Sequence, residues 1–233
     1  MADPVSALSR RRAHASQITG GTSEEAGYAL FLRRIEDRRL AGDVLDFGAG
    51  AGYFSRRLLE TGRFSSITAV DLMARPAGLP EEIRWVSHDL NERLPLPDEG
   101  FDVVTGVAII EHLENPRFVA RECLRLLRPG GAVLLSTPNN ESWRALANLV
   151  VRRCFVDFGP LAYPGHISPI LAIDFERVLR EAGFTDIAIE YNDRGYVPRS
   201  RAVTWQGISR GRLRGVRWSD ELVAIARRPV TEA

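Results

Sequence analysis

Lysine is absent from the chain: all 31 basic residues are arginine, set against 30 aspartate and glutamate residues. The formal net charge is therefore only +1, and no overall positive field indicates nucleic acid as a ligand. With 45% hydrophobic and 26% charged residues, the composition is that of an ordinary globular protein. At 233 residues the chain is long enough to form one α/β domain with a full core.

Cysteine is scarce. The two cysteines, Cys123 and Cys154, provide neither a disulfide framework nor a cysteine metal cluster. Cys123 shares a helical stripe with Val119 and Leu127, which predicts a small core residue. A reducing, cytoplasmic compartment is consistent with this pattern.

Long hydrophobic runs are also missing. No stretch approaches the ~20 apolar residues that a membrane-spanning helix needs, and residues 10–12 (Arg-Arg-Arg) are not followed by the apolar run of a signal peptide. We expect a cytoplasmic protein in which residues 1–21 form a mobile arm and residues 22–233 form a single domain.

Apolar periodicity predicts alternating helices and strands. Helices are expected at about 22–40, 54–62, 115–127 and 168–183. The first has a Thr22–Glu25 capping box, and the last has Ser168 as N-cap with Pro169 at the first helical position. Strands are expected at 44–47, 67–71, 83–86, 101–107, 132–136, 187–189 and 222–226. This alternation is typical of a doubly wound parallel sheet with helices on both faces.

A glycine-rich stretch, VLDFGAGAGYFS at residues 44–55, joins the first predicted strand to a helix. Glycines let backbone N–H groups approach a ligand closely, and a helix start adds further donors. Asp71 ends the next strand, near the ~20-residue offset at which an acid binds ribose hydroxyls in nucleotide-binding βαβ units. The stretch predicts a nucleoside-binding site.

The details of this turn favour a cationic ligand over a dinucleotide. Its glycines are spaced G-x-G-x-G, and Tyr53 stands where a dinucleotide fingerprint needs a small residue. Asp46 lies just before the turn, where a carboxylate would repel a pyrophosphate but attract a cation. S-adenosylmethionine, which has a ribose, a sulfonium and an ammonium group but no phosphate, fits better than NAD.

Several motifs follow one another in an order that is typical of a known family. These motifs are VLDFGAGAGYFS, AVDL, SHDLNERLPLPDEGFDVVTGVAIIEHLENP, LLRPGGAVLLSTPN and FERVLREAGF. Over about residues 25–228 the chain resembles class I S-adenosylmethionine-dependent methyltransferases of the small-molecule, biosynthetic type. The resemblance implies a Rossmann-like, seven-stranded sheet of order 3-2-1-4-5-7-6, with strand 7 antiparallel and helices on both faces.

The resemblance also implies a cofactor site. Gly48 and Gly50 would lie against the methionine part of S-adenosylmethionine, and Asp46 near its ammonium. Asp71 would hold the ribose hydroxyls, and Asp89 the adenine amino group. The full set of implied cofactor-binding residues is Asp46, Phe47, Gly48, Ala49, Gly50, Asp71, Leu72, Asp89, Leu90, Val107 and Ala108.

Two histidines are the candidates for acid–base catalysis, because a hydroxyl acceptor must lose a proton during methylation. His112 follows the fourth strand in the motif IEHL, and His166 ends an apolar segment. Each could instead be a structural histidine. His14 lies in the expected arm and His88 in a loop. No metal is expected, since the chain has no Cys/His ligand spacing and no further clustered carboxylates.

Residues 139–167 interrupt the rhythm of strands and helices and are rich in apolar and aromatic residues. The resemblance places the acceptor pocket here, and we expect a lid over an apolar or amphipathic small molecule. The expected reaction is O-methylation of a quinone, polyketide, sugar or other secondary metabolite. The sequence Ser-Thr-Pro-Asn at 136–139 differs from the Asn/Asp-Pro-Pro-Tyr motif of enzymes that methylate nucleobase amino groups.

Residues 194–218 carry seven arginines and no acid, with Trp205 and Trp218 among them. The segment could be a solvated loop, a contact with anionic lipid that makes the protein peripheral to the inner membrane surface, or a phosphate or RNA contact. For the whole protein, a non-catalytic cofactor-binding partner and an RNA or protein methyltransferase remain alternatives. An NAD-dependent oxidoreductase is disfavoured by Tyr53 and Asp46.

Overall fold

A computed structural model describes residues 25–200 and 202–230. These residues contain six α-helices: α1 (Glu25–Asp37), α2 (Tyr53–Glu60), α3 (Pro116–Leu126), α4 (Trp143–Arg152), α5 (Ala172–Ala182) and α6 (Trp205–Ser209). The same residues contain seven β-strands: β1 (Gly42–Phe47), β2 (Phe64–Asp71), β3 (Ile83–Ser87), β4 (Phe101–Gly106), β5 (Leu127–Pro138), β6 (Thr185–Tyr191) and β7 (Glu221–Arg227). The expected arm and Thr22 lie outside the described residues.

The strands form one sheet in the order β3-β2-β1-β4-β5-β7-β6. The pairs from β3 to β5 are parallel, whereas β7 runs antiparallel to both β5 and β6. This confirms the topology that the resemblance implies. From β1 the chain first proceeds outward through β2 and β3, then returns to β4 on the other side. Ligands of open α/β sheets bind at such a reversal, outside the carboxyl ends of the strands.

Each face of the sheet has its own hydrophobic core, because successive side chains of a strand point to opposite faces. Val44 packs with α1 and α2, around Phe31 and Phe54. Its neighbour Leu45 packs with α3 and α5, around Cys123 and Phe175. Cys123 is fully buried, as its helical stripe predicts.

Two predicted boundaries near α3 have different outcomes. The helix begins as expected, with Asn115 as N-cap accepting a hydrogen bond from the Phe118 N–H at 3.1 Å. It ends at Leu126, however, and β5 already begins at Leu127, which pairs with Phe101 of β4. The strand was expected only from residue 132, and pairing with β4 extends it through the Pro-Gly-Gly sequence.

The predicted helix start at Ser168 is wrong. Helix α5 begins at Ala172, three residues after the predicted first helical residue Pro169, and the Glu141 carboxylate accepts a hydrogen bond from the Ala172 N–H at 2.9 Å. The Ser168 hydroxyl instead donates to the carbonyl of Leu113 at 2.7 Å. A long-range contact therefore replaces the local cap and fixes the chain just after His166.

No helix in the described residues is long and apolar enough to cross a membrane.

Candidate active site

The glycine-rich turn after β1 is fixed against the end of β2. The N–H groups of Gly48 and Ala49 donate to the carbonyl of Val70 at 2.9 and 3.1 Å. Gly48 has a φ of +82°, and a Cβ there would lie 2.4 Å from Cγ1 of Ile109. The turn requires glycine for both its backbone conformation and its packing.

Asp71 closes the other side of this turn. Its carboxylate accepts hydrogen bonds from the N–H of Gly50 at 2.8 Å and from the N–H of Met73 at 2.9 Å. Burial raises the pKa of Asp71, and these backbone donors oppose the shift. The carboxylate is thus held in place by the glycine-rich turn itself.

Asp46 is 1% exposed and is bonded by the Ser55 hydroxyl at 2.5 Å. Burial raises the pKa of Asp46 to about 7, and the charge of Asp71 acts in the same direction. Hydrogen bonds from Ser55 and Thr105 oppose this shift. A cation placed beside Asp46 would stabilise its ionised form and so offset the cost of its burial.

The loop after β3 holds Asp89 and Leu90. Asp89 Oδ1 accepts from both the N–H and the Nδ2 of Asn91, each at 2.9 Å. The Asn91 Oδ1 in turn accepts from the N–H of Glu114 at 2.8 Å, which links this loop to the segment after β4.

Ala108, just after β4, has a φ of +48°, in the left-handed region that a non-glycine residue seldom occupies. Its N–H donates to the Ser136 hydroxyl at 2.9 Å, and that hydroxyl donates to Glu221 at 2.7 Å. Strained backbone of this kind concentrates at functional sites. The hydrogen-bonded chain joins the ends of β4 and β5 to the start of β7.

His112 lies in a 3₁₀ turn, Ile110–His112, which is hydrogen-bonded to the end of the apolar segment 139–167. The carbonyl of Glu111 accepts from the N–H groups of Ile167 and Ser168 at 2.9 and 3.0 Å. The His112 Nδ1 lies 3.0 Å from the carbonyl oxygen of Gly165. These contacts place His166 against His112, with ring centroids 4.6 Å apart.

The two histidines have defined tautomers, because a carbonyl oxygen can only accept a hydrogen bond. The Nδ1 of His112 therefore donates to Gly165, and the Nδ1 of His166 donates to the carbonyl of Asp157 at 2.6 Å. In the neutral form of each ring this leaves Nε2 with a lone pair. Burial lowers the pKa of His112 to about 4, and the neighbouring His166 adds to the effect, so His112 is neutral near pH 7.

Glu111 is a buried titratable group that the sequence analysis did not single out. It is 1% exposed, and its Oε2 has no hydrogen-bond partner among the described residues. Burial raises the pKa of Glu111 to about 8, and the charges of Glu221 and Asp157 act in the same direction, whereas local hydrogen bonding and the nearby Thr137 hydroxyl oppose the shift. The motif IEHL was visible in the sequence, but nothing in it shows that this glutamate points inward.

All of the predicted cofactor-binding and catalytic residues except Phe47 line one central cavity of about 400 Å³ at the carboxyl ends of the strands. Phe47 is fully buried in the core instead. The predicted residues that line the cavity are Asp46, Gly48, Ala49, Gly50, Asp71, Leu72, Asp89, Leu90, Val107, Ala108, His112 and His166. Lining residues that the sequence analysis missed include Tyr28, Glu111, Arg144, Asp157, Asn192, Asp220 and Glu221.

Comparison with known sequences identifies the family. A family described as the methyltransferase domain matches residues 23–189. The chain belongs to this methyltransferase family. It is a class I, Rossmann-like methyltransferase that depends on S-adenosylmethionine.

Individual relatives agree with this membership. The methyltransferase is 29% identical over 199 residues to a protein of Mycolicibacterium smegmatis named as an S-adenosylmethionine-dependent methyltransferase, covering 79% of this chain and 70% of the relative. It is 36% identical over 125 residues to the ubiquinone biosynthesis O-methyltransferase of Pseudomonas fluorescens, covering 48% of this chain and 52% of the relative. The chain thus spans about half of that second relative.

A solved structure shows the same fold. The crystal structure of a SAM-dependent methyltransferase from Archaeoglobus fulgidus superposes with a TM-score of 0.63 at 22% identity, covering 90% of this chain and 96% of the other.

The cavity of this methyltransferase fits its cofactor. Its volume of about 400 Å³ is within the usual range for small-molecule sites. Two buried carboxylates, Asp46 and Asp71, face it where a ligand with cationic and hydroxyl groups can compensate their burial. Gly48 and Gly50 bring backbone to the same wall without side chains.

Proposed function

We propose that this methyltransferase moves a methyl group to a hydroxyl oxygen of an apolar or amphipathic small molecule. Quinones, polyketides, sugars and other secondary metabolites are the acceptor classes. The observation that carries the proposal is the position of Glu111, His112 and His166, which line the same cavity as the cofactor carboxylates. The printed name of the Pseudomonas relative, a ubiquinone biosynthesis O-methyltransferase, supports the choice of oxygen.

In this proposal Asp71 holds the ribose hydroxyls, and Asp89 with the backbone of Leu90 holds the adenine. Gly48 and Gly50 contact the methionine part, and Asp46 faces its ammonium. The remaining members of the proposed cofactor site are Phe47, Ala49, Leu72, Val107 and Ala108. When bound, the cofactor supplies a methyl group already activated on a sulfonium. The protein's contribution is then position and exclusion of water.

Removal of the proton from the acceptor hydroxyl is the step in which side chains of the protein take part. His112 and His166 each keep Nε2 as an acceptor, since Nδ1 is committed to a backbone carbonyl. His166 is the better candidate to accept the proton of the acceptor hydroxyl, because burial lowers the pKa of His112 and makes it a weaker base. His112 then positions His166 through their edge-to-face ring contact.

Residues 139–167 act in this proposal as the lid over the acceptor, within a single domain that covers residues 22–233. Helix α4 and the 3₁₀ turn Val156–Phe158 form much of this segment. Its last turn contributes Pro164, Gly165 and His166 to the cavity wall.

We also propose that the protein binds peripherally to a membrane surface. Trp205 and Trp218 pack edge-to-face on each other at 4.9 Å, so these rings are not free for lipid. The lid offers apolar groups instead: Val150 is 83% exposed and Leu161 fully so. Trp143 of the lid contacts Trp218, which joins this surface to the arginine-rich segment 194–218.

The test is a binding and transfer experiment on purified protein. Wild type is titrated with S-adenosylhomocysteine and S-adenosylmethionine by thermal shift, and incubated with methyl-labelled cofactor and a panel of hydroxylated and amino acceptors. A ligand at 100 times its Kd stabilises by about 2.7 kcal/mol. Asp71→Ala should lose this shift, whereas Asp193→Ala, which removes an exposed carboxylate, should keep it.

Label recovered in an ether-linked methyl group, and lost in His166→Gln while the thermal shift is retained, would support the proposal. Label on amino acceptors alone would refute O-methylation. Binding with no transfer to any acceptor would favour the non-catalytic cofactor-binding alternative.

A further inference from the structure

Glu111, His112 and His166 form a compact group on the acceptor side of the cavity. One oxygen or nitrogen atom from each residue lies within 4.8 Å of the others. Two of the three come from the turn after β4 and the third from the end of the lid, so the group exists only in the folded chain. Two imidazoles and one carboxylate are a common ligand set for divalent transition metals.

The hydrogen bonds behind the two rings match those of metal-binding histidines. Such histidines usually donate the ring N–H that does not bind metal to a carbonyl or a carboxylate, which fixes the tautomer. His112 donates to the carbonyl of Gly165, and His166 donates to the carbonyl of Asp157. Each Nε2 is therefore available as a ligand atom.

The environment of Glu111 is a second, independent indication of a cation site. Glu111 is 1% exposed, and its Oε2 lacks a hydrogen-bond partner among the described residues. The carboxylates of Glu221 and Asp157 lie near enough to affect its ionisation. The ionised form of a carboxyl buried in this way is costly unless a bound cation compensates its charge.

We propose that Glu111, His112 and His166 bind a divalent transition-metal ion. At metal–ligand distances of about 2.1 Å, ligand atoms around a tetrahedral ion are about 3.4 Å apart. The group therefore needs only small side-chain rotations to close around an ion. This departs from the expectation of no metal, which rested on the lack of a Cys/His ligand set and of further clustered carboxylates in the sequence.

The ion has a consequence for the acceptor that rests on the proposed function. Three protein ligands leave coordination positions open toward the cavity. A hydroxyl oxygen bound there would lose its proton to water more readily, because the ion stabilises the oxyanion. His112 and His166 would then serve as ligands, and no histidine would need to take the proton.

Binding is tested first, without any acceptor. Untagged full-length protein is treated with chelator, dialysed and titrated with Co²⁺, with the visible d–d absorption recorded; Zn²⁺, Mn²⁺ and Mg²⁺ follow by equilibrium dialysis. We expect one Co²⁺ per chain, with an absorption typical of nitrogen and oxygen ligands. Glu111→Gln and His166→Gln should each weaken binding at least 100-fold, whereas His88→Gln, which removes a half-buried histidine outside the cavity, should not.

A thermal shift with S-adenosylhomocysteine in each variant shows that the fold and cofactor site persist. Unchanged Co²⁺ affinity in both Glu111→Gln and His166→Gln, or no binding by wild type, would overturn the proposal. Methyl transfer by the metal-free protein at the wild-type rate would overturn the role in the reaction and leave the proposed function intact. An ion that binds while no acceptor is methylated would instead refute the proposed function.

Discussion

Gly48 combines two requirements that no other residue type meets. Its φ of +82° costs an L-residue about 1–2 kcal/mol, and an added Cβ would collide with Ile109 at 2.4 Å. Because Ile109 itself lines the cavity, the collision would be transmitted to the cofactor site.

Gly48→Ala is therefore expected to destabilise the protein by more than the backbone strain alone and to weaken cofactor binding at least tenfold. Gly62→Ala is the matched control, because Gly62 also has a positive φ of +64° but an added Cβ there meets no atom of the described residues within 4 Å. Urea unfolding and titration with S-adenosylhomocysteine measure both effects. Equal losses in the two variants would show that only backbone conformation matters at Gly48.

At the scale of elements, the proposed lid at residues 139–167 exposes more large apolar side chains than is usual for the surface of a globular protein. Val150 and Val151 at the end of α4 are 83% and 65% exposed, and Tyr163 beyond it is 73% exposed. Arginines follow directly at 152 and 153. Apolar groups flanked by arginine are suited to the interface of an anionic membrane.

Co-sedimentation with anionic liposomes tests this surface. Val150→Glu combined with Val151→Glu should reduce the bound fraction several-fold, because each change places a carboxylate at the lipid interface. Ile173→Glu, a change at a 52%-exposed position of α5 outside the lid, should leave the bound fraction unchanged. Neutralising the exposed residues Arg210, Arg212 and Arg214 should weaken binding and remove its salt dependence. Equal sedimentation of all variants would exclude the membrane contact.

At the scale of the whole molecule, three buried acids facing one cavity make stability depend on pH. Burial raises the pKa of Asp46 to about 7 and that of Glu111 to about 8, and it also raises the pKa of Asp71. The native state therefore holds protons that the unfolded chain has released above about pH 4. The stability that these acids contribute is present below pH 4 and is lost as pH rises toward 8.

Ligand-free wild type should accordingly lose unfolding free energy between pH 5 and pH 8. In Asp46→Asn this loss should be smaller by roughly 2 to 3 kcal/mol, because one titrating group is gone. Asp193→Asn, which removes an exposed carboxylate, should follow wild type. Urea unfolding at both pH values gives the comparison, and a steeper loss in Asp46→Asn would contradict the assignment of the buried proton.

Much of the fold could be predicted because its determinants are local. Alternating apolar strands, the glycine-rich turn and the Asn115 cap each depend on residues near one another in sequence. The start of α5 could not be predicted in this way, because the Glu141 carboxylate caps the helix in place of the local cap predicted at Ser168. The extent of β5 likewise depends on its partner strand.

The sequence by itself determined the order of the seven strands and of four of the six described α-helices, the family, and the positions of Asp46, Asp71 and Asp89 near strand ends. Carboxyl ends of parallel strands meet at one edge, so these residues converge wherever the sheet forms. Only the tertiary structure decided that Glu111 is buried without a partner and that His166 lies against His112. These two facts depend on backbone hydrogen bonds between the lid and the turn after β4, which join residues distant in sequence and leave no local pattern to read.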